Sequence, residues 1–312
     1  MKYKETIYEA WQFTQKNKKM ILWYGFLPAL LTTLVGIFYV TYQILSFKSS
    51  PLFDDAPRSF FYVVFTTIFD FIRDNVSFTV PLIITAIILV IVYFLLPVIL
   101  DASMVQVIAR RRNGQETNLV DGVKYGILRF LTYFEFTLIM RTFSFISIAA
   151  EAAFVLRNLG PEVFQSFIPV FIIYAVIALV IHILFTFAEY FIIIDEEGVM
   201  SGIVKSCTLV ILNLQKTFIL VILMLIIAVR IIIQVILVII VPAIVISALA
   251  FYTTVSLPSY GFVVLGIVSV IFLIFAAYLA AVVHVFSVTV WTFTFIDFTS
   301  EEHLSPREKI ES

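Results

Sequence analysis

The chain has 312 residues, 62% of them hydrophobic and 13% charged, with a mean hydropathy of +1.09 and a formal net charge of -1. Soluble domains are about half apolar and about a quarter charged, so a water-soluble globule is excluded and lipid is the solvent. The balanced charge gives no electrostatic reason to bind nucleic acid, and one cysteine, Cys207, permits no internal disulfide.

A helix crossing a hydrocarbon core of ~30 Å needs roughly 20 mostly apolar residues. Ahead of the first such stretch, Tyr3, Ile7, Ala10, Trp11 and Thr14 recur at helical spacing, which predicts an amphipathic helix on the interface. The first span follows at about 20–45. It is too long for the core of a signal peptide and lacks a small-residue cleavage site, so it is expected to be retained. Phe61, Val64, Phe65, Ile68 and Ile72 form a stripe that predicts a helix on the outer face. The second span, about 78–100, carries Pro81 and Pro97 and ends at Asp101. Arg110, Arg111 and Arg112 then form a topology anchor and a place for anionic lipid headgroups.

Asn118 and Asp121 read as the cap and acidic first turn of a second amphipathic helix, with Val120, Val123 and Ile127 on its apolar face. Spans three and four occupy about 130–154 and 163–188. A third amphipathic helix, with Met200, Ile203, Val204, Cys207, Ile211 and Leu214 at helical spacing, precedes spans five and six at about 217–241 and 262–290. The runs do not alternate in polarity as the strands of a membrane barrel do. The expected fold is therefore all-α: a polytopic bundle of six transmembrane helices with three interfacial helices, in one membrane domain. One amphipathic helix followed by two spans recurs as units of about 1–117, 118–197 and 198–312.

The duplication has a signature: Ala175, Ala178, His182, Phe191 and Asp195 repeat at identical spacing as Ala277, Ala280, His284, Phe293 and Asp297. Unit one keeps the matching Asp101 but has Ile88 where the histidine falls. Basic residues fix the orientation. Lys2, Lys4, Lys16, Lys18, Lys19, the Arg110–Arg112 cluster, Lys124, Arg129, Lys205, Lys216, Arg307 and Lys309 fall on one face, against Lys48, Arg58, Arg73 and Arg157 on the other. Loops rich in Lys and Arg stay in the cytoplasm, so both termini are expected there.

Ionisable residues inside the bilayer are the candidate site. Counting at ~1.5 Å per residue places Arg141 level with His182, and Arg230 level with His284, with Glu189 shallower beside Glu135. Tyr133, Thr137, Arg141, Ser144 and Glu151 share one helical arc, as do His182, Thr186 and Glu189 on span four and His284, Ser287 and Trp291 on span six. Arg141, His182, Glu189, Arg230, His284 and Glu151 thus make a polar centre with two readings. It either orients packed helices in a scaffold or partner subunit, or it conducts a small anion, with histidine coupling the movement to protons.

An enzyme is not expected. Three histidines are too scattered for a metal cluster, and no HExxH, Gly-x-Ser-x-Gly or phosphate-cradling loop occurs, so neither metal nor cofactor is anticipated. Gly122 with Gly126 and Gly198 with Gly202 lie in polar segments, where they allow turns or close packing rather than span dimerisation.

Asp195-Glu-Glu-Gly-Val-Met-Ser-Gly202-Ile-Val-Lys205-Ser206, leading into an apolar run, resembles a junction of uncharacterised bacterial and archaeal polytopic membrane proteins. That group includes the membrane domain joined to some glycerophosphodiester phosphodiesterases. Arg112-Asn-Gly114-Gln115, leading into Leu119-Val-Asp121-Gly122, is similar to its preceding loop. Gly202 stands where the group more often has alanine, and the proline usual before the acid is missing ahead of Asp195. The resemblance implies a membrane domain in the inner membrane of a prokaryote and carries no phosphodiesterase catalysis.

Overall fold

A computed structural model describes residues 3–48, 65–66, 69–70, 72–74, 76–227, 229 and 259–303. Among them all regular structure is helical: α1 (Tyr3–Lys16), α2 (Lys18–Met20), α3 (Leu27–Lys48), α4 (Val76–Arg112), α5 (Leu119–Thr142), α6 (Phe145–Leu184), α7 (Ala188–Ile193), α8 (Val199–Leu212), α9 (Leu214–Ile227) and α10 (Ser259–His303). A wider π-helical stretch, Ile21–Phe26, joins α2 to α3.

Four helical stretches are long and apolar enough to cross a membrane: Lys18–Gly36, Thr79–Arg112, Phe145–Leu184 and Val270–Ser300. A fifth results if α8 and α9, bent by 97° at Asn213, form one broken span. The chain is thus a multi-pass helical membrane protein with four to five candidate crossings where the sequence predicts six. Span five is described only as far as α9, and its remainder lies outside the described residues together with Arg230. Most of the outer-face stripe around Phe61 lies outside them too.

The difference centres on the third and fourth spans. The predicted second interfacial helix is not separate: it runs without interruption into the first half of span three as α5. That helix stops at Phe143, and Ser144 caps the next, its hydroxyl accepting from the Ile146 N–H at 3.3 Å. Within α6, Gly160 breaks the run with φ 84° and ψ 170°, a conformation that glycine reaches without steric cost. An unbroken helix would hold Phe145 and His182 about 55 Å apart. Their rings instead stack with centroids 5.8 Å apart, so the two arms fold back antiparallel about Gly160.

α4 also differs from expectation. Apolar positions continue past Asp101 through Ala102, Met104, Val105, Val107 and Ile108, all buried, and the helix ends only at Arg112. Asp101 is an interior residue. α5 packs against this extension through its two glycines. A Cβ on Gly126 would lie 2.1 Å from Ser103 Oγ and 2.6 Å from the Ile99 carbonyl oxygen, and one on Gly122 would lie 2.4 Å from Val107 Cγ2. The glycine pair therefore serves close packing within the chain.

Two cores lie toward the Arg112 end of the bundle. One joins Val98, Ala102 and Val105 to Tyr133, Phe136, the Phe187–Ile193 segment and Phe295. The other joins Ala10, Met20, Ile21 and Tyr24 to Met104, Ile108, Val285 and Phe293. α1 and α8 are docked into these cores: Trp11 meets Phe286 edge-on at 5.5 Å, and Leu209 and Val210 are buried. Ile83, Ile87 and Ile91 of α4, Ile172, Ile173 and Val176 of α6, and Ile267 and Ile271 of α10 remain exposed. Such continuous apolar surface suits contact with acyl chains.

Candidate functional site: a polar centre among helix ends

Asp101 of α4 and His284 of α10 meet at 2.8 Å, Oδ1 to Nε2, so the imidazole N–H donates to the carboxylate. A second link between the same helices joins Arg112 to Asp297, with the guanidinium also 4.1 Å from the centre of the Phe293 ring. The links advance together, from 101 to 112 and from 284 to 297, so α4 and α10 run parallel.

The neighbouring part of the centre is made by a break in the chain. α6 ends at Leu184, and after three intervening residues α7 begins, with Glu189 in its first turn, where a helix N-terminus favours an acid. The Tyr133 hydroxyl of α5 donates to Glu189 at 3.3 Å. Asp101 and His284 lie within electrostatic range of Glu189, so the two polar contacts form one cluster drawn from α4, α5, α7 and α10. Ser206 of α8 repairs the break itself, accepting from the Phe187 N–H at 3.0 Å and donating to the Leu184 carbonyl at 2.7 Å. Here the Lys205-Ser206 pair of the junction acquires a structural role. Lys205 binds Glu197, Ser206 occupies the backbone groups that the helix ends leave open, and Gly202 lets α8 lie against Ala188 and Ile192.

His182 closes the other side. Its Nε2 lies 3.1 Å from the Phe143 carbonyl, one of those released where α5 stops, and Tyr174 donates to the Thr142 carbonyl at 2.7 Å. Among these groups is a cavity of about 320 Å³ whose polar lining is Tyr133, Thr137, His182, Thr186 and Glu189, with Trp291 and Met140 among its apolar walls. Among the described residues that line it, no lysine or arginine occurs.

Of the predicted site residues, His182 and Glu189 therefore share one cavity, and His284 joins the cluster through Asp101. Arg141 does not line the cavity: its guanidinium lies 5.4 Å from the centre of the Phe94 ring on α4. Glu151 lies beyond the break at Ser144, exposed on α6, and does not share a helix with Tyr133 and Arg141. Arg230 is outside the described residues. Asp101 is the member that sequence reasoning missed. Its register with Asp195 and Asp297 marked it as an exit residue, whereas the apolar periodicity from Ala102 to Ala109 already signalled more helix. Comparisons with protein-family models, with curated proteins and with solved structures return no match.

Proposed function

We propose that this chain is a non-catalytic, six-span protein of a prokaryotic inner membrane, both termini cytoplasmic, whose polar centre locks helix ends together in a scaffold or partner subunit. One observation carries the reading: His182, Glu189 and His284 each spend a polar atom on another segment of the same chain, namely Phe143, Tyr133 and Asp101. Polar contacts between helices, of this kind, orient helices in lipid. The topology is supported by the parallel run of α4 and α10, as two even-numbered spans require, and by the excess of Lys and Arg on one face. The Asp195–Ser206 junction supports placing the chain beside the bacterial and archaeal group that it resembles.

The cavity favours a second reading, passage of a small solute. Its lining offers a carboxylate and an imidazole, and Arg141 is directed to Phe94, so a proton or a cation suits this pocket better than the small anion that Arg141 and Arg230 suggest. Reconstituted liposomes separate the two readings. The scaffold reading expects proton, potassium and chloride fluxes equal to those of empty vesicles, with Glu189→Gln changing thermal stability alone. A flux that exceeds the background, and that Glu189→Gln abolishes while the protein stays folded, overturns it.

A further inference from the structure

Lys16, Lys18 and Lys19 stand at the turn between α1 and α2, and none has an ion-pair partner among the described residues. Together with Arg111 they border a cleft of about 760 Å³ whose opposite wall is Asn118 and the first turn of α5. Arg111 holds the two walls in place: its guanidinium binds the Asn17 side chain on one wall and donates to the Thr117 carbonyl at 2.9 Å on the other. The Asn118 side chain does not cap α5, and the first backbone bond of that helix is from Gly122 N–H to the Asn118 carbonyl at 3.1 Å. The amides of Leu119, Val120 and Asp121 are therefore free of that ladder at the cleft wall. The one acid of the lining, Asp121, is occupied by Lys124 at 3.1 Å.

We propose that this cleft binds the phosphate oxygens of an anionic lipid headgroup. Three lysines, a guanidinium and helix-start amides supply the donors that a phosphate ester needs. A lipid, rather than a soluble phosphate, is indicated by the apolar surface that continues from the cleft along both helices. Leu22 and Trp23, just past the buried Met20 and Ile21, are 52% and 67% exposed, while Val120 on the other wall and Leu128 further along α5 are 71% and 76% exposed. A cationic cleft above exposed apolar side chains matches the order of a headgroup above its acyl chains. The inference needs only that the chain spans a membrane, and it is independent of what the polar centre does.

The test is a lipid titration of the purified full chain in detergent, read by native mass spectrometry, using phosphatidylglycerol and phosphatidylcholine, with inorganic phosphate in a separate arm. Phosphatidylglycerol is expected to be retained preferentially. Replacing Lys18 and Lys19 together by Gln should weaken its retention roughly tenfold or more, since each basic residue near an anionic surface contributes about one such step or slightly less. Lys4→Gln with Lys205→Gln, an equal charge loss at residues that do not border the cleft, should change it less than about twofold, and Lys18→Arg with Lys19→Arg should retain it. The lysines are exposed, so melting temperatures should stay unchanged. Binding of inorganic phosphate that the Lys18/Lys19 change removes, without preference between the two lipids, would support the anion site while overturning its assignment to lipid. Equal retention of both lipids with no phosphate binding, or equal loss in both double variants, overturns the proposal.

Discussion

His284 of α10 donates to Asp101 of α4 in the interior of both helices, 2.8 Å apart, although in sequence 183 positions separate them. A carboxylate left alone inside the bundle would lack its donor, so Asp101→Ala and His284→Ala should each destabilise the protein. The side chains keep 26% and 40% of their exposure, which puts the loss at about 1–2 kcal/mol, below the ~3–5 kcal/mol of a fully buried pair. Thermal unfolding of the two single variants and the double variant measures the coupling. A double-variant loss equal to the sum of the single losses would show that the contact contributes nothing of its own.

The membrane class and the helical character of the long apolar runs were legible because they rest on composition and local periodicity. The fate of Asp101 and Arg141 was not. The apolar positions beyond Asp101 signal more helix but not what the carboxylate binds, since His284 lies in another unit. Arg141 and Tyr133 do share α5, but the helix stops before Glu151 without a proline or glycine to announce it. The break at Phe143 persists because Tyr174 and His182, far along the chain, satisfy the carbonyls that it releases. Long-range compensation of this kind leaves no mark in the local pattern.

Gly126 sets how closely α5 can approach α4. Backbone atoms of Ile99 and Ser103 would lie 2.6 and 2.9 Å from a Cβ placed there, and backbone cannot swing aside as a side chain can. Gly126→Ala should cost about 1–3 kcal/mol through overpacking, even after the gain of up to ~1 kcal/mol in helix propensity. Gly36 in α3 has nothing within 4 Å of the same construction, so Gly36→Ala should leave stability unchanged or raise it by up to ~1 kcal/mol. Denaturation in detergent distinguishes the pair. Equal effects at both positions would contradict the packing role of Gly126.

Ser206 is fully buried and serves both sides of the break between α6 and α7. Ser206→Ala keeps the volume nearly constant and leaves the Phe187 N–H and the Leu184 carbonyl without this partner, a loss of about 1–3 kcal/mol. Ser206→Thr keeps the hydroxyl and should retain more of the stability than alanine does, and hydrogen exchange at the Phe187 amide should rise in the alanine variant alone. Unchanged exchange there would mean that the hydroxyl is not what holds the break.

The hairpin about Gly160 should insert as a unit. Residues 131–150 hold nine Leu, Ile or Phe, each contributing about -0.3 to -0.6 kcal/mol to insertion, against roughly +2.5 to +3.5 kcal/mol for Arg141 and a further cost for Glu135. Alone this stretch is marginal, and the carbonyls of Thr142 and Phe143 would face lipid without donors. The second arm brings those donors, the Tyr174 hydroxyl and the His182 imidazole. Glycosylation mapping should therefore find residues 125–160 only partly inserted on their own and residues 125–190 fully inserted. Arg141→Leu should rescue the short segment, and Tyr174→Phe combined with His182→Leu should lower insertion of the long one, even though both changes make it more apolar. Full insertion of the unaltered short segment would show that its own apolar residues suffice.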